Sequence, residues 1–274
     1  MDNKIELIGH YGGDLEHALS AWTSTSRELT DTKKERIPKL LKYLAENKHH
    51  TPFEKSSLHF LVTADIASHI HCLKHRIAVA INAESSRYKE LTDDKYYIPT
   101  DWTPRAKNRL EKHVKTSFEI YHEELETVTN ELVEKFNNFT VSGYMDSKIN
   151  NIGKFDHGKD IQYGLFVDGV DLEMDHLIDI IYNYNPEEVI EEYQKEVKRM
   201  CRKRAKESVR FYLPYATQLK FDIMFNWRSF AHFQGLRNKP DAQFEIREIA
   251  EEMLELVRNI EGNPFEHTIN AFNF

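Results

Sequence analysis

The chain has 274 residues, of which 40% are hydrophobic and 30% are charged, a balance that is ordinary for a folded globular protein. Its net charge of −8 argues against a general nucleic-acid-binding protein, so any anion site must be a local basic patch. Two cysteines, Cys72 and Cys201, favour a reducing compartment over a disulfide framework. Without an apolar leader or a run of about eighteen apolar residues, we expect a cytoplasmic protein that does not span a membrane.

The first quarter of the chain predicts two strands and two helices. Residues 4–9 have strand character, and residues 13–28 carry apolar side chains at helical spacing. Residues 33–47 form a second amphipathic segment. Residues 49–54, HHTPFE, predict a loop because the residue before proline disfavours helical backbone. Residues 56–65 predict a strand with alternate apolar side chains on one face.

A third helix is predicted to follow Asp65, which is a favourable N-cap residue. Its expected core face consists of apolar residues at helical spacing: Ile66, Ile70, Leu73 and Ile77. His71, Lys74 and His75 would then lie together on another side. The periodicity is lost near residues 85–88, which predict a turn.

The rest of the chain is predominantly helical. A proline-rich connection at 96–104 precedes a long charged helix from about Arg105 to Phe136. Residues 137–187 hold five of the ten glycines and predict a small β-rich insertion or a lid. Helices are predicted to resume in three places: 186–213, from about Gln218, and 242–260. The last has an apolar stripe formed by Ile246, Ile249, Met253 and Leu256. The predicted fold class is α+β, mostly helical with a small sheet.

The first candidate site is the segment 74–88, KHRIAVAINAESSRY. It places Lys74–Arg76 and Ser85–Arg87 around a short apolar run. Guanidinium groups, hydroxyls and turn amides in this arrangement suit a ligand with two anionic ends. From spacing alone, a solvated basic helix end is the favoured alternative.

Two further segments mix basic and apolar side chains. In residues 209–214, VRFYLP, Arg210 could pair with Glu207 or another carboxylate. Residues 226–246 interleave basic and aromatic side chains. Such a mixture could hold a flat heterocycle with phosphates, although an aromatic stripe at this spacing is more often core.

Metal and thiol chemistry are less well supported. His71 and His75 are spaced as two ligands on one helix face, but matching carboxylates and an HExxH pattern are absent, so we predict no metal site. Cys72 is expected to be a buried helical cysteine rather than an activated thiolate. No GxGxxG or Walker loop is present, so a nucleotide would bind without a Rossmann or P-loop cradle.

Four motifs in this order resemble those of flavin-dependent thymidylate synthases, the ThyX family. They are HHTPFE, KHRIAVAINAESSRY, VRFYLP and NWRSFAHFQGLRNKPDAQFEI. The resemblance covers residues 1 to about 100 and 205 to 260. It implies a ThyX-like α+β fold with a small antiparallel sheet. Residues 1–274 would form a single catalytic domain with a family-atypical insertion at about 137–200.

The resemblance also implies an activity. Members of this family convert dUMP to dTMP, taking the methylene group from 5,10-methylenetetrahydrofolate and reducing equivalents from NADPH. They are homotetramers that bind FAD across subunits and share their active sites. They use no cysteine nucleophile, and the flavin delivers the hydride while the protein supplies positioning and electrostatics.

Site residues are carried over from the matching motif positions. The set predicted to bind FAD is Thr51, Lys74, His75, Arg76, Glu84, Asn226, Arg228 and His232. The set predicted to bind the nucleotide is His71, Ser85, Ser86, Arg87, Arg210 and Arg237. Arg237 would be the catalytic residue, hydrogen-bonding the pyrimidine and favouring ionisation at N3. His49 would lie near the folate or NADPH face.

Several positions depart from the family pattern. Lys74 replaces an arginine, His71 replaces a glutamine at the nucleotide, and His232 replaces an asparagine near the flavin. Glu84 lies three residues before Arg87 rather than four. Because an imidazole changes the donor and acceptor pattern offered to a base, the alternatives include dCMP methylation and hydroxymethylation of dUMP or dCMP.

Two other classes are weighed against this interpretation. One is a metal-dependent nucleotide phosphohydrolase, which the missing carboxylate spacing disfavours. The other is a non-catalytic nucleic-acid-binding protein that uses the basic helix Lys195–Lys206, which the net acidity disfavours.

Overall fold

The computed structural model describes residues 2–85, 87, 89–91, 95–137, 154–156, 161–167, 170–173 and 186–274. For 136–137, 186–193, 196 and the described residues within 154–173, it describes the backbone alone. The chain divides into two compact units. The first consists of Met1–Glu84, Lys95–Leu110 and Tyr215–Phe274, and the second of Ser85–Asp94 and Glu111–Pro214. The single catalytic domain with an insertion stays a prediction.

The elements follow in chain order. The strands are β1 Lys4–Tyr11, β2 Ser57–Asp65, β3 Val79–Ala83, β4 Lys154–Asp156, β5 Ile161–Val167, β6 Val170–Glu173 and β7 Gln218–Phe225. The α-helices are α1 Asp14–Trp22, α2 Asp31–Glu46, α3 Ile66–Leu73, α4 Pro104–Asn137, α5 Pro186–Val209, α6 Trp227–Arg237, α7 Phe244–Arg258 and α8 Glu266–Ala271. Two short 3-10 helices span Thr51–Glu54 and Arg210–Tyr212. None of these described helices has the length and apolar character that a membrane span requires.

The first unit is built on a four-stranded antiparallel sheet in the order β1-β2-β7-β3. Phe60 on β2 lies opposite Leu7 on β1 and Ile223 on β7. Leu58, Phe60 and Val62 are all fully buried, as the alternation along this strand predicts. The predicted small antiparallel sheet is thereby confirmed.

Aromatic side chains of α6 complete the core of this unit. Trp227, Phe230 and Phe233 are fully buried, which confirms the interpretation of the aromatic stripe as core. Trp227 stacks on Phe265 with ring centroids 5.3 Å apart. On α7, the predicted stripe residues Ile246, Ile249 and Met253 are also buried, and Leu256 is half-buried.

A buried polar network joins α1 to α8. The Asp14 carboxylate accepts hydrogen bonds from the backbone amides of His267 and Thr268, at 2.8 and 2.7 Å, and from the Thr268 hydroxyl. Thr268 Oγ1 lies 3.0 Å from His17 Nδ1, and Ser56 Oγ lies 2.8 Å from His17 Nε2. Because the Thr268 hydroxyl donates to Asp14, it accepts from Nδ1–H, and His17 Nε2 accepts from Ser56.

The predicted helix from about Gln218 is wrong, because this segment is strand β7. Phe221, Ile223 and Phe225 are buried at every second position. β7 also pairs with β2 on one side and β3 on the other. The period of two and the two ladders fix the segment as a central strand.

The predicted core face of α3 is also wrong. Asp65 caps the helix as expected, accepting from the Ser68 amide at 2.8 Å. The helix nevertheless ends at Leu73, and Ile77 is 84% exposed. Ile66 and Ile70 are half-buried, and Leu73 is exposed. The buried side is formed by smaller and polar side chains: Ser68, Cys72 and His75. Ala78 then adopts a left-handed φ of 53°, which turns the chain into β3.

The second unit has its own core between α4 and α5. Tyr121 and Leu125 of α4 are buried with Val197, Cys201 and Ala205 of α5. Strands β4, β5 and β6 form a three-stranded antiparallel sheet within the segment predicted to be β-rich. Asn137 ends α4, residues 186–187 begin α5, and the rest of the predicted segment 137–187 lies outside the described residues.

Candidate functional site

The start of α6 is fixed by the residue that precedes it. Asn226 Oδ1 accepts from the Ser229 amide at 2.8 Å and caps the helix. The Ser229 hydroxyl is 3.0 Å from the carbonyl oxygen of Ala78, so α6 is tied to the turn before β3. Because the cap uses the side-chain oxygen Oδ1, Asn226 can offer its side-chain NH2 group to a ligand.

A cavity of about 480 Å³ opens beside this helix start, within the size range of small-molecule sites. Its polar lining includes His50, Glu54, Asn226, Arg228 and His232. Apolar lining is supplied by Ile77, Leu236 and Phe272, among others. The cavity therefore combines hydrogen-bonding groups and a cation with an apolar wall.

Two charged groups in the cavity neutralise each other. The Arg228 guanidinium forms an ion pair with the Glu54 carboxylate, although the Arg228 side chain remains about half exposed. The pKa of His50 is lowered by burial, by the charge of Arg228 and, less, by Lys48, against an opposing backbone hydrogen bond. An anionic ligand at this position would compete with Glu54 for Arg228.

A second pair links the end of α3 to the end of α6. The guanidinium Nε of Arg237 donates to Nε2 of His75 across 3.0 Å. His75 is 9% exposed, and its ring meets the edge of Phe233 at 5.0 Å and 73°. Burial and the neighbouring charges of Arg237, His232 and His71 lower the pKa of His75 to about 4, so its imidazole is neutral at pH 7.

The residues predicted to bind the cofactor are only partly brought together. Asn226, Arg228 and His232 line the cavity. Five others do not line it: Thr51, Lys74, His75, Arg76 and Glu84. The Glu84 carboxylate accepts from the Lys220 amide at 3.0 Å, and Thr51, Lys74 and Arg76 are exposed.

The predicted nucleotide-binding residues are distributed over both units. His71 and Arg237 belong to the first unit and are half-buried. In the second unit, Arg87 donates through Nε and NH2 to Glu207 at 2.9 and 2.7 Å, which lowers the pKa of that carboxyl. The backbone amide of Arg87 donates to Ser85 Oγ at 3.3 Å.

Three remaining predictions have separate outcomes. Arg210 is exposed, with its guanidinium 5.9 Å from the centroid of the Phe211 ring. Ser86 lies outside the described residues. His49, predicted to face the folate or NADPH, is exposed and stacks with Tyr43 at 6.4 Å.

The lining residues not predicted from the sequence include His50, Glu54 and Phe272. His50 and Glu54 belong to the HHTPFE motif, so the motif itself held the signal. Phe272, after α8, carries no motif and reaches the cavity through the tertiary fold, with its ring 5.6 Å from His50.

Thiol and metal chemistry have no visible basis in the described part of the chain. Cys72 and Cys201 are buried free thiols. Burial raises the pKa of Cys72 to about 12, mainly by desolvation, and that of Cys201 to about 11. Among the described residues, no group of three His, Cys, Asp or Glu side chains could hold a metal ion.

Fold and site together define an α+β protein with a ligand cavity beside an aromatic-cored sheet. The model of the thymidylate synthase complementing protein family matches residues 6–261, and the chain belongs to this family. The family predicted from the four motifs is thereby confirmed.

Similar proteins carry matching names. The flavin-dependent thymidylate synthase of Streptomyces avermitilis is 35% identical over 102 residues, which are 36% of this chain and 41% of that protein. The enzyme of the same name from Thermotoga neapolitana is 38% identical over 95 residues, or 35% and 42% of the two chains. The matched part thus spans about two fifths of these relatives.

The fold is similar to a solved structure over nearly its whole length. The UMP/dUMP methylase PolB from Streptomyces cacaoi, bound with 5-Br dUMP, matches with a TM-score of 0.62 at 22% identity. The match covers 99% of this chain and 95% of PolB. The predicted α+β fold class is confirmed by this similarity.

Proposed function

We propose that this protein is a flavin-dependent thymidylate synthase-type methyltransferase that converts dUMP to dTMP. 5,10-Methylenetetrahydrofolate would donate the carbon, NADPH would supply reducing equivalents, and FAD would be the cofactor. The observation that carries the proposal is that Asn226, Arg228 and His232, three residues assigned to FAD by family resemblance, line one cavity. Membership of the family and the names of the relatives agree with it.

The residues of the cavity fit part of this cofactor. Arg228 offers a guanidinium to a phosphate, and Asn226 offers an amide NH2 to a heterocycle or a ribose oxygen. Phe272 and Leu236 supply an apolar surface for a flat ring. When bound, the flavin supplies the hydride that the methyl transfer requires.

Arg237 is the chain's candidate for activating the pyrimidine. A guanidinium stays protonated at any accessible pH, so it can face a developing anion without losing its own charge. Cys72 cannot serve as a competing nucleophile, because it is fully buried and its pKa is raised to about 12. Pyrimidine activation is therefore left to positioned charge and hydrogen bonds.

The nucleotide and the assembly belong to the same proposal. Ser85, Ser86, Arg87 and Arg210 are assigned to the nucleotide, His49 to the folate or NADPH face, and the working form is a cytoplasmic homotetramer. Light scattering on the purified protein gives its mass directly. The half-buried His71 keeps a cytosine nucleotide or a hydroxymethylated product as the alternative outcome, because an imidazole presents different hydrogen bonds from an amide.

The test begins with the visible spectrum of the purified protein, with and without added FAD. We expect a flavin band at about 450 nm that is perturbed by dUMP more than by dCMP. Incubation with ¹³C-methylene-labelled donor and NADPH should then give dTMP that is labelled in its methyl group, as detected by mass spectrometry. A protein that takes up no FAD would contradict the proposal, and labelled product from dCMP alone would establish the alternative substrate.

A further inference from the structure

We propose that His75 is a positioning residue that orients Arg237 toward the nucleotide, rather than a ligand of the cofactor. The inference rests on the function proposed above and changes the role that family resemblance gives to His75. Three observations support it: the hydrogen bond between the two side chains, the burial of His75 and the absence of His75 from the lining of the cavity.

The hydrogen bond fixes which nitrogen of His75 carries the proton. The Nε of a guanidinium can only donate, so Nε2 of His75 must accept. The imidazole is then neutral and protonated on Nδ1. Burial and the adjacent charge of Arg237 lower the pKa of His75 to about 4, which agrees with a neutral imidazole.

A neutral acceptor orients an arginine without cancelling its charge. Other arginines of the described chain behave differently: Arg228 pairs with Glu54, Arg87 with Glu207, and Arg202 with Glu90 and Glu126. A carboxylate partner uses both the direction and the charge of the guanidinium. His75 uses one N–H of Arg237, so both NH2 groups and the full positive charge stay available for a pyrimidine edge or an anion.

The surroundings of His75 hold this acceptor in place. Its backbone amide donates to the carbonyl of Cys72 at 3.1 Å, which closes the end of α3. Phe233 packs edge-on against the ring, and Phe233 and Arg237 are one turn apart on α6. The position of Arg237 is therefore set from two elements of the same unit.

The test compares His75→Phe, which removes the acceptor, with His75→Gln, which supplies another one. We expect His75→Phe to weaken dUMP binding by roughly tenfold, the scale of one hydrogen bond to a charged group, while the affinity for FAD stays unchanged. His75→Gln should recover most of the loss. Circular dichroism verifies folding, and His69→Phe on α3 is the matched control: His69 packs on Phe221 and should leave both affinities unchanged.

Coupling to Arg237 distinguishes positioning from a separate effect. In an Arg237→Leu background, His75→Phe should add no further loss of dUMP affinity, because the group that it positions is gone. In the ligand-free protein labelled with ¹⁵N-histidine, Arg237→Leu should alter the His75 ring signals and its titration, with His75→Gln used for assignment.

The outcomes separate this inference from the proposed function. Loss of FAD affinity with unchanged dUMP affinity in His75→Phe would overturn the positioning role and leave the function intact. Unaltered His75 signals in Arg237→Leu would refute the hydrogen bond itself, whatever the nucleotide does. A native protein that binds neither FAD nor dUMP would defeat the proposed function and the positioning role together, although the ring signals would still report on the pair.

Discussion

The buried histidine of α1 should make the protein sensitive to acid, and the effect can be isolated with one substitution. His17 is fully buried, and desolvation lowers its pKa from 6.5 to about 3. An unfolded chain binds a proton at this position below pH 6.5, whereas the folded chain resists it. Stability contributed by neutral His17 is therefore complete above pH 6.5 and is lost as the pH falls toward 3.

The magnitude follows from the distance between the two pKa values. A pH of 5 lies about one and a half units below 6.5, the pKa of His17 in the unfolded chain, and each pH unit corresponds to about 1.4 kcal/mol. We therefore expect the wild-type protein to lose about 2 kcal/mol of unfolding free energy through His17 between pH 7.5 and pH 5. This loss is large against the total stability of a typical domain, about 5–15 kcal/mol.

Urea unfolding at a series of pH values measures this contribution. The variant His17→Gln removes the titration and keeps a polar side chain between Ser56 and Thr268. It should be less stable at pH 7.5, and the gap to wild type should narrow by about 2 kcal/mol at pH 5. The variant His113→Gln, at an exposed position of α4, controls for the loss of a histidine. A gap that stays constant across this range would refute the assignment of His17 as a buried neutral base.

Two further substitutions and one labelling experiment test other parts of the fold. Gly13→Ala should cost about 1–3 kcal/mol in urea unfolding, because the added Cβ would collide with the Pro264 carbonyl, while Gly9→Ala, with open space around it, should change little. The native thiols should react slowly with a thiol reagent and fully after unfolding, since Cys72 and Cys201 are buried with raised pKa values; fast labelling of folded protein would contradict this. Arg202→Met should cost about 1 kcal/mol by breaking its half-exposed bridge between Glu90 and Glu126, and the loss should vanish when both carboxylates are also replaced by glutamine.

The sequence predicts those elements whose apolar residues recur at one regular spacing. Strand β2 repeats Leu58, Phe60 and Val62 at every second position, and α7 repeats its apolar residues at helical spacing, so both were found. Strand β7 was missed because Met224, on its second face, makes residues 223–225 continuously apolar, and because no glycine or proline separates the strand from α6. Its pairing with β2 and β3 makes this segment a strand, and that pairing is a tertiary property that a short stretch of sequence does not contain.

The error on α3 has a different physical origin. Hydrophobicity predicts Ile66, Ile70, Leu73 and Ile77 on the core face, but α3 buries Ser68 and Cys72, and His75 is buried just after the helix. The polar side chains of Ser68 and His75 have hydrogen-bond partners there: the Ser68 hydroxyl donates to Asp65 at 2.8 Å, and His75 accepts from Arg237 at 3.0 Å. A hydrophobicity scale based on transfer between solvents assigns such groups to the surface, because it takes no account of their hydrogen-bond partners.

The candidate site was predictable as a set of residue types but not as an arrangement. Motif positions selected Asn226, Arg228 and His232, which do share a cavity. They could not reveal that Glu54 neutralises Arg228, because that pair joins residues 174 positions apart. Nor could they reveal Phe272, whose place depends on where α8 packs.

Two buried histidines show why the partners of a side chain decide its role. Both His17 and His75 are held neutral, with pKa values lowered to about 3 and about 4. In His17 both ring nitrogens are used, by Thr268 and Ser56, so its hydrogen bonds end inside the protein and serve stability. In His75 one nitrogen accepts from Nε of Arg237, which leaves the NH2 donors of that guanidinium for a ligand. Neutral His17 therefore completes a hydrogen-bond network inside the protein, whereas neutral His75 orients Arg237. We expect the pair of His75 and Arg237 to govern nucleotide affinity.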